Sequence, residues 1–402
     1  MKVVICGAGI AGLALANRLS ARGDEVVLVE QAPGPRTQGY MIDFFGPGYD
    51  AAEAMGLLPA IREHAYPVEE MALVDHRGRQ RASLATPTVA SGRLLSLMRP
   101  DLEEVLREAL PEAVDLRFGT RLTGVEDLGE RVRVDLGGEV VEADLLVGAD
   151  GIHSAVRELV FGPEEEFLRY LGLHTAAFVF DAPEIRTAVG GRFCLTDTYD
   201  REMGFYALRD GRVAAFGVHR TADPALPADR QAAVREAYRD LGWVVPRALR
   251  ECPAEDVYYD QVAQVHLPTW SSGRVVLLGD SCYAVSLLAG QGASLAVAGA
   301  YVLADRLARA DSVPAALADY ERLWRPVAEE KQETGRNAAR WFLPGSRLQL
   351  LVRRATLLLT KLPLLNRYIA GQLGGKSTAL ITNLRASEQS PVPIEVNPDR
   401  TR

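Results

Sequence analysis

The sequence predicts a mixed α/β fold: a parallel sheet assembled from separate stretches of chain, an antiparallel sheet inserted into it, and a helical C-terminal segment. Three observations predict it. Apolar runs at 3–6, 25–30, 145–148 and 274–278 have the make-up of strands buried on both faces. Between about 165 and 262 the pattern changes to strand pairs joined by tight turns. Beyond residue 336 the chain becomes Leu-rich and basic.

The first 30 residues read strand, turn, helix, strand. Residues 3–6 (VVIC) lead into a glycine-bearing turn at 7–12. An Ala/Leu-rich helix follows, carrying Leu13, Ala14, Ala16, Asn17 and Leu19 and ending near Arg22-Gly23, and 25–30 (EVVLVE) is the second strand. A helix is expected over about 99–110, a half-exposed hairpin strand at 131–134, and a buried strand at 145–148 leading into Asp150-Gly151. Residues 204–208 and 212–219 form an antiparallel pair about Arg209-Asp210-Gly211. The buried-strand pattern returns at 274–278, and helices follow over about 293–310 and 314–336.

Composition narrows the function. A chain of 402 residues has room for two or three domains, and 48% apolar with 24% charged residues is the balance of a globular protein with ample core. A formal charge of −8 argues against nucleic acid as a partner, because binding phosphate asks for a basic face. Cys6, Cys194, Cys252 and Cys282 share no metal-ligand spacing and make no disulfide framework. No metal is expected, and a reducing compartment, the cytoplasm, is. No export signal or transmembrane segment is expected either, since Lys2 precedes only four apolar residues and no run approaches the ~20 of a spanning helix.

Gly7-x-Gly9-x-x-Gly12 occupies the turn between the first strand and helix. In a dinucleotide-binding turn the first glycine permits the bend, the second lets the backbone approach a pyrophosphate, and the third lets helix and strand pack closely. The helix start then offers free N–H groups to phosphate. Glu30, 18 residues past Gly12, stands where a carboxylate accepts from ribose hydroxyls. The parallel-sheet domain is therefore read as Rossmann-like, at 1–70, 96–165 and 263–335. The inserted sheet is placed at 71–95 and 166–262, and C-terminal helices and tail at 336–402. The turn alone does not choose between nicotinamide and flavin dinucleotides.

Three motifs bear on that choice: 7–12 (GAGIAG), 148–157 (GADGIHSAVR), and Gly279-Asp280 with Gly290-Gln291-Gly292. In their order and spacing the chain resembles the FAD-dependent aromatic hydroxylases, the p-hydroxybenzoate hydroxylase-like flavoprotein monooxygenases. Residues 36–43 (RTQGYMID) are similar to the tetracycline-inactivating branch. The resemblance implies FAD as cofactor, with Gly7, Gly9, Ala11 and Gly12 about its diphosphate, Glu30 at a ribose, Asp280 on the ribityl chain, and Gly290 and Gly292 in the turn beyond. It also implies that Arg99 contacts the flavin and that Asp150 and Gly151 belong to a segment touching both FAD and NAD(P)H. By the same match Arg36 meets NADPH and Asp43 faces the flavin. The residue types suit these tasks, since a guanidinium pairs with phosphate in a fork and a carboxylate accepts from hydroxyls. Arg99 and Arg36 keep a plainer alternative as solvated charges.

Two positions depart from the family pattern: Tyr283 stands where His is usual, and Leu287 where Pro lies beside the oxygen-reacting edge of the flavin. His153, His219 and His266 match no metal motif and are read as structural or surface histidines. Tyr206, Phe216 and Arg192 fall in the substrate sheet, either lining a pocket or packing in its core. Cys282 is read as a packing residue.

Residues 336–376 hold eight Lys/Arg and no acid. Amphipathic helices over 347–373, broken near Pro363, are read either as a brace between the two domains or as attachment to an anionic membrane surface. The segment after Ser387 is expected to fray. The activity implied by the resemblance is monooxygenation. NAD(P)H reduces the flavin, O2 adds to it, and a flavin hydroperoxide passes oxygen to an electron-rich ring or enol, with an aromatic natural product such as a polyketide as substrate. Because the cofactor carries the chemistry, no catalytic side chain is assigned. Two rivals stay open: an FAD-dependent dehydrogenase, reductase or oxidase without oxygen transfer, and a non-catalytic flavin-binding protein at a membrane surface. The expected assembly is a monomer or homodimer.

Overall fold

The structure is a computed structural model that describes residues 1–85, 93–359 and 379–389. Strand Lys2–Cys6 lies inside a six-stranded sheet, between Glu25–Val29 and Leu145–Gly148. Asp115–Arg117 extends the sheet on one side and Val275–Leu277 on the other, all parallel, and an antiparallel Ser271–Ser272 closes one edge. A parallel sheet needs both faces covered, and the apolar runs supply the means: Val3, Val4, Ile5, Leu28, Leu146 and Val276 are wholly buried. Each such side chain contributes ~1.5–3 kcal/mol relative to exposure. Helix Ile10–Ala21 packs on Gly292–Arg309, which also meets Pro47–Ala54 and Val313–Phe342.

A second sheet of seven strands runs in the order Tyr258–Val265, Leu168–Phe180, Val213–Arg220, Arg201–Ala207, Phe193–Thr196, Glu70–Val74, Gln80–Ala85. Every pairing is antiparallel except Phe193–Thr196 with Glu70–Val74. The expected turn is present, with Leu208 N donating to Arg212 O at 2.8 Å and Gly211 at φ +96°. One face buries Phe178, Phe180 and Phe205 against helices Pro183–Val189, Arg230–Tyr238 and Val245–Glu251. The opposite face carries Leu173, Tyr206, Phe216 and Val218. Met41–Phe45 and Leu94–Met98 pair as a separate ribbon. Val132–Asp135 is the middle strand of a three-stranded meander, burying Val132 and Val134 and leaving Arg133 and Asp135 partly exposed.

Helix Val313–Phe342 outruns the expected 314–336 and passes through Pro326. Proline removes one helical hydrogen bond, but Leu317, Tyr320, Trp324 and Ala328 are buried at helical spacing on both sides of it. Tertiary packing outweighs the local break.

The C-terminal segment has two described helices. Arg347–Leu359 rests on the second sheet, where the buried Arg353 reaches Asp197 at 2.9 Å and Glu202 at 2.5 Å, and Arg354 reaches Asp197 at 2.6 Å. Ala379–Gln389 packs on Pro47–Ala54 and Gly292–Arg309, with Arg385 paired to Glu53 at 3.2 Å. The break expected near Pro363 and the end of the tail lie outside the described residues. Among the described residues no helix is long and apolar enough to cross a membrane.

Candidate active site

A cavity of about 360 Å³ is lined by residues of both sheets. Its floor is the first turn. Gly7 leaves its strand at φ +107°, and a β-carbon there would lie 2.4 Å from the Ala149 carbonyl oxygen. A β-carbon on Gly12 would lie 1.9 Å from the Gly7 carbonyl oxygen. A β-carbon on Gly9 would meet nothing closer than 3.9 Å. Helix Ile10–Ala21 starts there with no side-chain cap and no acid in its first turn, leaving donors and a positive dipole end at the cavity.

The acidic groups differ in how they are held. Glu30 accepts from Ala8 N at 3.1 Å and Ala32 N at 2.9 Å, which fixes its carboxylate beside the turn. Asp150 accepts from Ser154 Oγ at 2.6 Å and Val156 N at 3.1 Å. Its carboxylate is thus spent on starting helix Ala155–Val160, and burial raises its pKa. Asp150 and Gly151 both line the cavity. Arg157, fully buried, donates to Ile152 O at 2.7 Å, Ser281 O at 3.1 Å and Glu164 at 2.8 Å, knotting this motif to the Asp280 segment. Asp280 opens helix Asp280–Tyr283 behind Gly279, whose φ is +72°. Burial raises the Asp280 pKa, and the Arg99 charge opposes that rise.

Arg99 begins helix Arg99–Glu108 and pairs with Glu103 at 2.8 Å. Burial works against its charge, and the Glu103 carboxylate, with Asp280 beyond it, favours the charged form. Arg36 lines the cavity where Gly34-Pro35 meets Gly9 and Glu30. Ala11, Gly290 and Gly292 complete the set of expected residues that share the lining. Gly12 and Asp43 stand outside it. Gly12 is a packing position, and Asp43 on the Met41–Phe45 ribbon accepts from Ser96 Oγ at 2.7 Å, with burial raising its pKa.

The two departures separate. Tyr283 turns away into the core, its ring 5.0 Å from Trp270 and its hydroxyl 3.5 Å from Leu295 O. Leu287 lines the cavity, directly after Ser286 at φ +81°. The structure also brings in residues that the sequence did not single out. Tyr40 and Tyr258 line the cavity with rings 5.4 Å apart, and Tyr40 lies 5.6 Å from Phe216. Burial pushes Tyr40 up to about 12 and Tyr258 well up, so both are neutral hydroxyls. His153 lines the cavity too, against Glu164 and Asp260. Tyr206 is buried with its hydroxyl accepting from Met41 N at 2.5 Å. Arg192 bonds Ala188 O and Val189 O outside the lining. His219 lies among Tyr238 and Tyr259, where burial lowers it to about 4. His266 is half-buried beside Gln264, and Cys282 is a core residue.

The family described as "FAD binding domain" matches residues 1–333. The chain belongs to the FAD-dependent aromatic hydroxylase family. An uncharacterized protein of Mycobacterium tuberculosis is 37% identical over 344 residues, covering 82% of this chain and 91% of that one. An FAD-dependent monooxygenase of Sarocladium schorii is 31% identical over 366 residues, covering 83% and 86%. The crystal structure of the tetracycline destructase Tet(55) superposes with a TM-score of 0.78 at 28% identity, covering 89% and 94%. As a member of this family, the protein is an oxidoreductase of the FAD-dependent monooxygenase kind.

The residues present fit FAD. An uncapped helix start suits a diphosphate, and Glu30 and Asp280 supply acceptors for sugar hydroxyls at separate points of the same cavity.

Proposed function

We propose that this enzyme binds FAD extended along the cavity and uses NAD(P)H and O2 to hydroxylate an electron-rich aromatic or enolic small molecule. The observation that carries this reading is the convergence of the Gly7–Gly9 turn, Glu30, Arg99 and Asp280 on one cavity whose opposite wall is the second sheet. When bound, the flavin supplies hydride acceptance and oxygen activation. The chain's own residues bind, orient and exclude water. The turn and helix start take the diphosphate, Glu30 a ribose, Asp280 the ribityl hydroxyls, and Arg36 the reductant. The second sheet serves as the substrate domain, with Tyr40, backed by Phe216, and Tyr258 as an aromatic wall whose two tyrosines bear neutral hydroxyl donors. One substrate C–H becomes C–OH, the second oxygen atom leaves as water, and NAD(P)H with a proton supplies the two electrons. A polyketide-like aromatic natural product is the substrate class, an assignment supported by the likeness to a tetracycline destructase. The enzyme is assigned to the cytoplasm as a monomer or homodimer.

The tail is assigned as a brace, because Arg347–Leu359 rests on the second sheet while Ala379–Gln389 rests on helices Pro47–Ala54 and Gly292–Arg309. Membrane-surface contact rests instead on the exposed Leu348, Leu351 and Val352, since Arg353 and Arg354 already pair with buried acids. Retention of the protein by anionic vesicles, lost on changing those three residues to Ser, would favour the contact over the brace alone.

The test of the activity is NADPH oxidation under 18O-labelled O2 with candidate phenols and enols. One labelled atom per product supports the proposal. Leu287 in the lining favours a second reading, a dehydrogenase or oxidase without oxygen transfer. Oxidised product without label, or peroxide alone, would select it.

A further inference from the structure

Each ring nitrogen of His153 faces a carboxylate. Nδ1 lies 2.9 Å from Glu164 and Nε2 lies 3.3 Å from Asp260. A neutral imidazole carries a single N–H, so one of these contacts would set a lone pair against a carboxylate, whereas the imidazolium donates to both. The two acids come from different parts of the molecule. Glu164 begins the short helix Glu164–Phe167 after the glycine motif, and Asp260 lies on Tyr258–Val265, the edge strand of the second sheet. His153 and Asp260 both line the cavity, and the His153 side chain is 42% exposed, which places the contact at the cavity's rim. On helix Ala155–Val160, Arg157 shares Glu164 at 2.8 Å and Glu158 lines the cavity, while Asp280 and His174 face Asp260 from other elements.

We propose that His153 is a positioning residue, an imidazolium strap that ties the glycine-motif loop to the edge strand of the second sheet and closes the cavity's rim over the bound nucleotide. The strap rests on the FAD reading for what the cavity holds, but its geometry belongs to the chain alone. Hydrogen bonding to Asp260, then to Glu164, outweighs partial burial and lifts the imidazole to about 9. A histidine raised in this way contributes fully below its unfolded pKa of about 6.5 and loses that contribution as pH rises through about 9. Water and salt reach the contact, so the effect is modest.

The test is FAD titration by flavin fluorescence between about pH 7 and pH 10, on the full chain, His153→Gln and Asp260→Asn, with thermal unfolding of the same FAD-free proteins. The wild-type Kd is expected to rise roughly two- to fivefold across the upper half of that range, the size of a partly exposed charged hydrogen bond. His153→Gln has the weaker Kd already at pH 7 and shows no step. Asp260→Asn moves the step to lower pH, a response that a merely structural role would not give. Without FAD, the Tm gap between wild type and His153→Gln closes towards pH 10. A step that survives in His153→Gln, or that Asp260→Asn leaves in place, overturns the strap. If the wild type takes up no FAD at any pH, the FAD reading fails, and the strap stands or falls on the FAD-free Tm gap.

Discussion

Asp280, proposed above to hold the ribityl chain, illustrates how a residue of the cavity is set against the stability of the empty protein. Its carboxyl is buried and its pKa raised, so the folded state holds the proton more tightly than the unfolded chain does. Stability of the FAD-free protein therefore falls as pH rises from about 3.8 through the folded value, by linkage. On the proposed reading, ribityl hydroxyls donating to the carboxylate reverse that disadvantage when FAD binds. Asp280→Asn is expected to leave the FAD-free Tm unchanged or higher at pH 7 while weakening FAD about 10- to 100-fold, the size of lost charge-assisted hydrogen bonds. Calorimetry with and without FAD reads both. Gly12 acts through packing instead. Because a β-carbon there would lie 1.9 Å from the Gly7 carbonyl oxygen, Gly12→Ala must push helix and strand apart, at ~1–3 kcal/mol. The expected result is a lower Tm together with lost FAD uptake. These glycines were legible in the sequence because their spacing encodes backbone approach. Tyr40 and Tyr258 were not, since their meeting depends on two loops and strands remote in the chain.

At the level of elements, helix Arg347–Leu359 is fixed by charge more than by its apolar stripe. Arg353 is 3% exposed and shared between Asp197 and Glu202, while Leu348 on the same helix is 71% exposed. Burial lifts the Glu202 carboxyl to about 8 in spite of Arg353. Arg353→Met removes the cation that two buried acids share; Asp197 keeps Arg354 and Glu202 takes up a proton, so the expected cost is ~1–3 kcal/mol. Adding Glu202→Gln to that variant relieves part of the loss, so a denaturant series on the single and double variants should show non-additivity. The basic composition of this segment was readable, but its use was not, because Asp197 and Glu202 lie more than a hundred residues upstream. Central parallel strands were readable for a simple reason: burial on both faces leaves an unbroken apolar run, as in Lys2–Cys6 and Leu145–Gly148. Leu168–Phe180 mixes Arg169, Gly172 and His174 with apolar residues and carries no such mark.

For the whole molecule, what matters is that two sheets from interleaved stretches of chain enclose one cavity. The inserted sheet could be placed from the change in pattern after about residue 165, yet its joining of Glu70–Val74 to Phe193–Thr196 is a parallel pairing with no local signal. The site divides in the same way. Residues from the glycine motifs were found by spacing, whereas the wall formed by Tyr258, Asp260 and Gln261 became visible only once the chain was folded. Whether FAD lies along this cavity is tested most directly by the visible absorbance of the purified protein after incubation with FAD and gel filtration. One tightly held flavin per chain, displaced in proportion by Asp280→Asn, is the predicted result; a colourless protein that retains no flavin would contradict the account.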